Sequence, residues 1–73
     1  MKKKVINTKR SPLPIGPYNQ AILSGNFLFI SGQIALDPQS MDLNNGSIVE
    51  ETNQVMINLK NILSEANMNF NNV

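Results

Sequence analysis

Ala21-Ile22-Leu23-Ser24-Gly25-Asn26-Phe27-Leu28-Phe29-Ile30-Ser31 decides the fold of this chain. Two short apolar runs flank a Gly-Asn pair. A two-residue Gly-containing turn matches the right-handed twist of paired strands, so the stretch reads as an antiparallel hairpin turning at 25–26. The strand signal extends outward to cover residues 18–33. In the second strand Phe27, Phe29 and Ser31 share one face, and Leu28 and Ile30 share the other. Both faces are apolar, so the strand expects cover on both sides, from a helix and from a neighbour. Gly32 interrupts the run, and a Gly at a strand end often marks a bulge or a close approach of backbone or ligand.

Upstream, Ser11-Pro12-Leu13-Pro14-Ile15-Gly16-Pro17 is an extended loop. Each Pro lacks a backbone donor and pushes its predecessor out of the α region. Before the loop, residues 5–7 read as a short first strand. Downstream, Asp37-Pro38 opens a polar loop that runs to Gly46. Ser47 and Glu50 then have the spacing of a capping box. Thr52, Val55, Met56, Leu59, Ile62, Leu63 and Ala66 recur at i, i+3, i+4, i+7 spacing, which predicts an amphipathic helix over 48–66 with Leu59 at the middle of its apolar stripe. Asn67 follows as a residue that tolerates the left-handed conformation where Gly is commoner.

The order is strand, hairpin, helix, which makes an α+β unit. Its hairpin edges lack partners, and a two-stranded hairpin is marginal alone. Residues 1–73 therefore read as a single incomplete domain that expects more strands. A chain of 73 residues buries only about 60% of its unfolded surface and needs a staple. There is no Cys and no His, so disulfides and the usual zinc sites are excluded and the reading is metal-free. Association is the staple that remains. A net charge of +1 argues against an electrostatic nucleic-acid binder. The Lys2-Lys3-Lys4 run leads into Val5-Ile6 and then Asn7-Thr8-Lys9-Arg10, so no apolar leader region follows it. No apolar stretch approaches the ~20 residues of a membrane span. The expectation is a cytoplasmic protein with no membrane partner.

Three stretches together carry a family pattern. Ile15-Gly16-Pro17-Tyr18-Asn19-Gln20-Ala21 is one. Ser31-Gly32-Gln33-Ile34 with Leu36-Asp37-Pro38 is the second. Thr52, Gln54-Val55, Asn58-Leu59-Lys60 and Leu63 form the third. In order and in register, they resemble the N-terminal half of the reactive-intermediate deaminases, the Rid or YjgF-type family. The resemblance implies a mixed β-sheet backed by helices in a trimeric, chorismate-mutase-like fold, here truncated after the first helix. Ala35 stands where the family usually has Pro, and Met41 and Asn67 stand where it has Gly. Those two loop positions are asked to take conformations that Gly adopts freely.

The resemblance also implies a chemistry: hydrolysis of reactive enamines and imines, such as 2-aminoacrylate and 2-iminopropanoate, to a 2-keto acid and ammonia. It implies no cofactor, a small anionic substrate, and a homotrimer whose sites lie between subunits. Carried over by position, Tyr18 and Ser31 are the candidate catalytic residues and Gly32 the candidate substrate-binding residue. Tyr18 would wall the pocket, Ser31 would offer a hydroxyl, and Gly32 a close backbone approach. The family's carboxylate-binding Arg and a late Glu have no counterpart here, so the isolated chain is expected to be inactive. Arg10 precedes the motifs and is not read as their substitute. Gln33 and Asn58 are read as structural hydrogen-bonding residues. Two other readings compete: a non-catalytic truncated homologue that only associates with full-length subunits, and an RNA-directed translation inhibitor. The second is disfavoured by the near-neutral charge and the absence of His.

Overall fold

A computed structural model describes residues 3–14 and 19–73. The elements run β1 (Lys3–Ile6), β2 (Ala21–Ser24), β3 (Phe27–Ile30) and α1 (Ile48–Glu65), followed by a 3₁₀ turn at Phe70–Asn72. The sheet order is β1-β2-β3 and both pairings are antiparallel. Ile6 pairs with Ala21, Ala21 with Ile30, and Ser24 with Phe27. The hairpin turns at Gly25-Asn26. Gly25 carries φ 60° while Asn26 keeps a negative φ, the pattern of a turn with Gly at its first central position.

The first strand is shifted from the expected 5–7 to Lys3–Ile6, and the hairpin strands are shorter than the expected 18–33. β1 ends at Ile6 rather than reaching residue 7, and Asn7 instead turns its side-chain oxygen to the Gln20 amide, 2.9 Å away. β2 begins at Ala21; the expected start at Tyr18 lies outside the described residues. β3 stops at Ile30 rather than 33. Beyond it the chain leaves the ladder; a helix side chain donates to the carbonyls of Ile34 and Leu36, and the Ile34 carbonyl also accepts from Leu36 N at 2.9 Å.

α1 begins where the Ser47 hydroxyl accepts from the Glu50 amide at 3.1 Å, which satisfies one orphan donor of the first turn. The reciprocal half of the expected capping box does not form among the described residues; the Glu50 carboxylate lies over Gly46 instead. At the other end Met68 N donates to Leu63 O (2.8 Å) and Asn67 N to Ser64 O (3.0 Å). With Asn67 at φ 59°, this is a Schellman ending. Met41 also holds a left-handed φ, 61°. Both positions are those where the family pattern has Gly.

The buried face of α1 is rotated from the one the periodicity marked. Asn58, Ile62 and Leu63 are buried, Val55, Leu59 and Ala66 are half-buried, and Thr52 and Met56 are exposed. Leu59 is thus the flank of the stripe, and Ile62 its centre. Ile62 joins Ile6 and Ala21 in the apolar core, with Leu23, Leu28, Ile30 and Ala66 packed around it. Burying a side chain of that size stabilises by about 1.5–3 kcal/mol. The core is small, and buried polar residues (Thr8, Ser11, Gln20, Asn58) supply much of the interior.

The opposite sheet face is left uncovered by the described residues. Phe27 is 70% exposed, Phe29 64%, and Val5 53%. The two Phe rings lean on each other at 6.4 Å. The helix supplies one of the two covers expected for β3.

Candidate functional site

Ser31, Gly32 and Gln33 leave β3 and, with Pro12, Leu13, Gln20, Ile34 and Leu36, line a cavity of about 60 Å³. It has room for a few waters. Three strand-connected segments meet here, and two buried amide side chains hold them together.

Gln20, just before β2, is the first. Its Oε1 accepts from Thr8 N at 2.6 Å. Its Nε2 is shared among the carbonyls of Thr8 (3.0 Å), Ser11 (3.2 Å) and Pro12 (2.7 Å). An extended Pro-containing segment makes few backbone bonds of its own, and the Gln20 amide answers its carbonyls. On the other side, the Gln20 carbonyl accepts from both Ser31 N and Ser31 Oγ, each at 3.0 Å.

Asn58, on α1, is the second. Its Nδ2 donates to Ile34 O (3.1 Å) and Leu36 O (3.0 Å), and its Oδ1 accepts from Gln54 Nε2 (3.0 Å). Its backbone carbonyl accepts from Ser11 Oγ at 2.6 Å. Every buried side-chain nitrogen and oxygen among the described residues has a partner. A polar interior that is fully satisfied specifies one arrangement; a half-satisfied one would be costly.

The candidate residues are not equally served by this arrangement. Tyr18 lies outside the described residues. Ser31 lines the cavity, but its hydroxyl proton is committed to the Gln20 carbonyl, so toward the cavity the oxygen presents lone pairs only. Gln33 Nε2 donates to Ser31 O at 3.1 Å, and Asn58 is a structural clamp, in keeping with the roles expected for both. Gly32 is exposed, and a Cβ placed there would touch nothing within 4 Å among the described residues. Crowding by the described residues therefore does not demand Gly at this position. Gln20 was quoted in the first motif but not singled out. Its signal was a polar residue placed at the mouth of an apolar strand, where a side chain without a partner would be expensive.

Arg10 does not reach the cavity lining. Its guanidinium sits 4.0 Å from the Glu65 carboxylate at the end of α1, and its carbonyl accepts from Asn61 Nδ2 at 2.6 Å. In the loop beyond the cavity, Asp37 Oδ1 accepts from Gln39 N (2.8 Å) and Ser40 N (3.1 Å). The Ser40 amide, then the Gln39 amide, hold its carboxyl below the usual aspartate range. Among the described residues no three His, Cys, Asp or Glu side chains gather as a metal site, and no helix is long and apolar enough to cross a membrane.

The family model described as Endoribonuclease L-PSP matches residues 8–73. A RutC family protein of Pyrococcus abyssi is 49% identical over 73 residues, which cover 100% of this chain and 58% of that protein. The mouse protein named 2-iminobutanoate/2-iminopropanoate deaminase is 48% identical over 71 residues, covering 97% of this chain and 53% of the mouse protein. The crystal structure of a Rid family protein, YyfA of Yersinia pestis, superposes with a TM-score of 0.90 at 40% identity, over 94% of this chain and 55% of that one. The chain spans little more than half the length of the relatives it matches.

Proposed function

This chain belongs to the endoribonuclease L-PSP family, and from that premise we propose that the domain it helps to build hydrolyses reactive enamines and imines, 2-aminoacrylate and 2-iminopropanoate among them, to a 2-keto acid and ammonia. The observation that carries this reading is the 48% identity to the mouse imine deaminase, together with a small polar-edged cavity at the matching Ser31-Gly32-Gln33 segment. The substrate is small, and so is the cavity.

Hydrolysis of an imine needs the substrate carboxylate held, the nitrogen protonated and a water directed at the electrophilic carbon. Water adds to that carbon, a proton passes to nitrogen, and ammonia leaves as the carbonyl forms. In this reading Ser31 serves as an acceptor, because its own proton is held by Gln20. An acceptor facing the cavity suits a water or a protonated imine nitrogen. Gly32 leaves the approach open among the described residues, and the family resemblance assigns Tyr18 the role of a pocket wall. The carboxylate contact needs a bidentate cation. The sole Arg of the chain is Arg10, which faces Glu65 instead, so that contact comes from the remainder of the domain.

The uncovered Val5, Phe27 and Phe29 face supports assembly as a homotrimer. An apolar sheet face of that kind is normally closed by a neighbour. The reading needs no cofactor and places the reaction in the cytoplasm.

The test joins this chain to the C-terminal half of a full-length relative such as the mouse deaminase. Keto acid or ammonia released from enzymatically generated 2-aminoacrylate is then measured against spontaneous hydrolysis. Release above the spontaneous rate supports the reading. A folded trimeric chimera that releases product no faster than water alone overturns it.

A further inference from the structure

We infer that Asn45 is a site of spontaneous covalent modification, converting to aspartate and isoaspartate within the folded chain. The inference is independent of the deaminase reading. The chain contains twelve asparagines, and only Asn45 is followed by Gly. That pairing matters because the reaction is an attack by the next residue's backbone nitrogen on the side-chain amide carbon. A following side chain obstructs it; Gly offers no obstruction and the widest range of backbone conformations.

The structure leaves both reacting groups free. Asn45 and Gly46 are exposed. Neither the Asn45 side-chain amide nor the Gly46 N–H takes part in a hydrogen bond. Several other asparagines differ on this point. Asn53, Asn58 and Asn61 lie inside α1, where the following amide belongs to the helix ladder. The side chains of Asn7, Asn19 and Asn69 are hydrogen-bonded. The pair also sits between two fixed points. Asn44 N is tied to Ala35 O at 2.7 Å, and Ser47 caps α1. Only the short span between them is unconstrained.

The step balances without any co-reactant beyond water. Gly46 N forms a bond to Asn45 Cγ, the Cγ–Nδ2 bond breaks, and ammonia leaves with the amide proton. Water then opens the cyclic succinimide at either carbonyl. One opening gives aspartate. The other gives isoaspartate, which lengthens the main chain by one carbon beside the helix cap. Either product adds a negative charge near the start of α1, beside Glu50 and Glu51. Isoaspartate also shifts the tether between the Ala35–Asn44 bond and Ser47, and through it the loop that leads back to the cavity.

The experiment incubates the purified 73-residue chain at mildly alkaline pH and follows it by intact mass and peptide mapping, native and in urea. The expected result is that the earliest deamidated peptide contains residue 45, appears as two chromatographically separate products of equal mass, and forms in the native chain at a rate within about threefold of that in urea. Asn45→Ser should remove this earliest event and leave slower deamidation elsewhere unchanged. Native deamidation at Asn45 more than tenfold slower than in urea, or first deamidation at another asparagine, would overturn the inference.

Discussion

The Asn58 side-chain amide donates to the carbonyls of both Ile34 (3.1 Å) and Leu36 (3.0 Å), so one buried helix residue replaces the sheet ladder that β3 abandons at Ser31. Removing it takes the Asn58 bond from the Leu36 carbonyl and from the Gln54 amide, and leaves the Ile34 carbonyl with the Leu36 N–H alone (2.9 Å). Asn58→Ala should therefore lower stability by roughly 1–3 kcal/mol, read by denaturant unfolding. Amide exchange in residues 34–44 should rise as well. Unchanged exchange in that loop would mean Asn58 does not hold it.

Ile62 and Leu59 separate two versions of the helix face. Ile62 is fully buried against Ile6 and Ala21, whereas Leu59 is half-buried. Ile62→Ala should cost roughly 2–5 kcal/mol, and Leu59→Ala clearly less, in matched thermal melts. Equal losses would return Leu59 to the centre of the stripe.

Met41 holds φ 61°, a conformation that costs a side-chain-bearing residue roughly 1–2 kcal/mol. Gly escapes that cost but gives back part of the gain through a more flexible unfolded chain. Met41→Gly should stabilise by about 1 kcal/mol or less. Asn67→Gly should change little, because Asn tolerates the left-handed region better. A destabilised Met41→Gly would show that Met41 packs usefully enough to outweigh its backbone.

Asp37 accepts two backbone bonds as a carboxylate, and its pKa is lowered by the Ser40 amide first and the Gln39 amide second. The folded value lies below the unfolded one, so this contribution is complete above the unfolded value of ~3.9 and is lost as pH falls through the folded value. An NMR titration of the Asp37 carboxyl should give a lower midpoint in the native chain than in urea. Coincident midpoints would remove the turn from the acid response.

Activity follows from the same geometry. The 73-residue chain alone should show no imine hydrolysis above the spontaneous rate, because no Lys or Arg among the described residues lines the Ser31 cavity. In an active chimera, Ser31→Ala and Tyr18→Phe should each lower turnover. Ser31→Ala should act with little loss of melting temperature if Ser31 faces substrate, and with a clear loss if it serves only to cap the Gln20 carbonyl. Catalysis by the short chain would mean that Arg10 or an N-terminal lysine binds the carboxylate.

The hairpin turn, the helix and its two ends were legible in the residues, because each depends on neighbours a few positions apart. Gly25-Asn26 selects its turn by backbone freedom, Ser47 reaches an amide three residues on, and Asn67 ends the helix by tolerating φ 59°. What tertiary structure alone decided depends on distant partners. Periodicity marked Thr52, Met56 and Leu59 as readily as Ile62, since apolar spacing does not say which side of a wide stripe meets the sheet. The buried face is centred on Asn58 and Ile62 because Asn58 answers carbonyls 22 and 24 residues away, and a polar side chain is drawn inward only where such partners wait. Ser31 is the clearest case. Its position in a motif suggested a free hydroxyl, but the Gln20 carbonyl lies 3.0 Å from it and takes its proton alongside the Ser31 N–H, because a carbonyl oxygen has two lone pairs to offer.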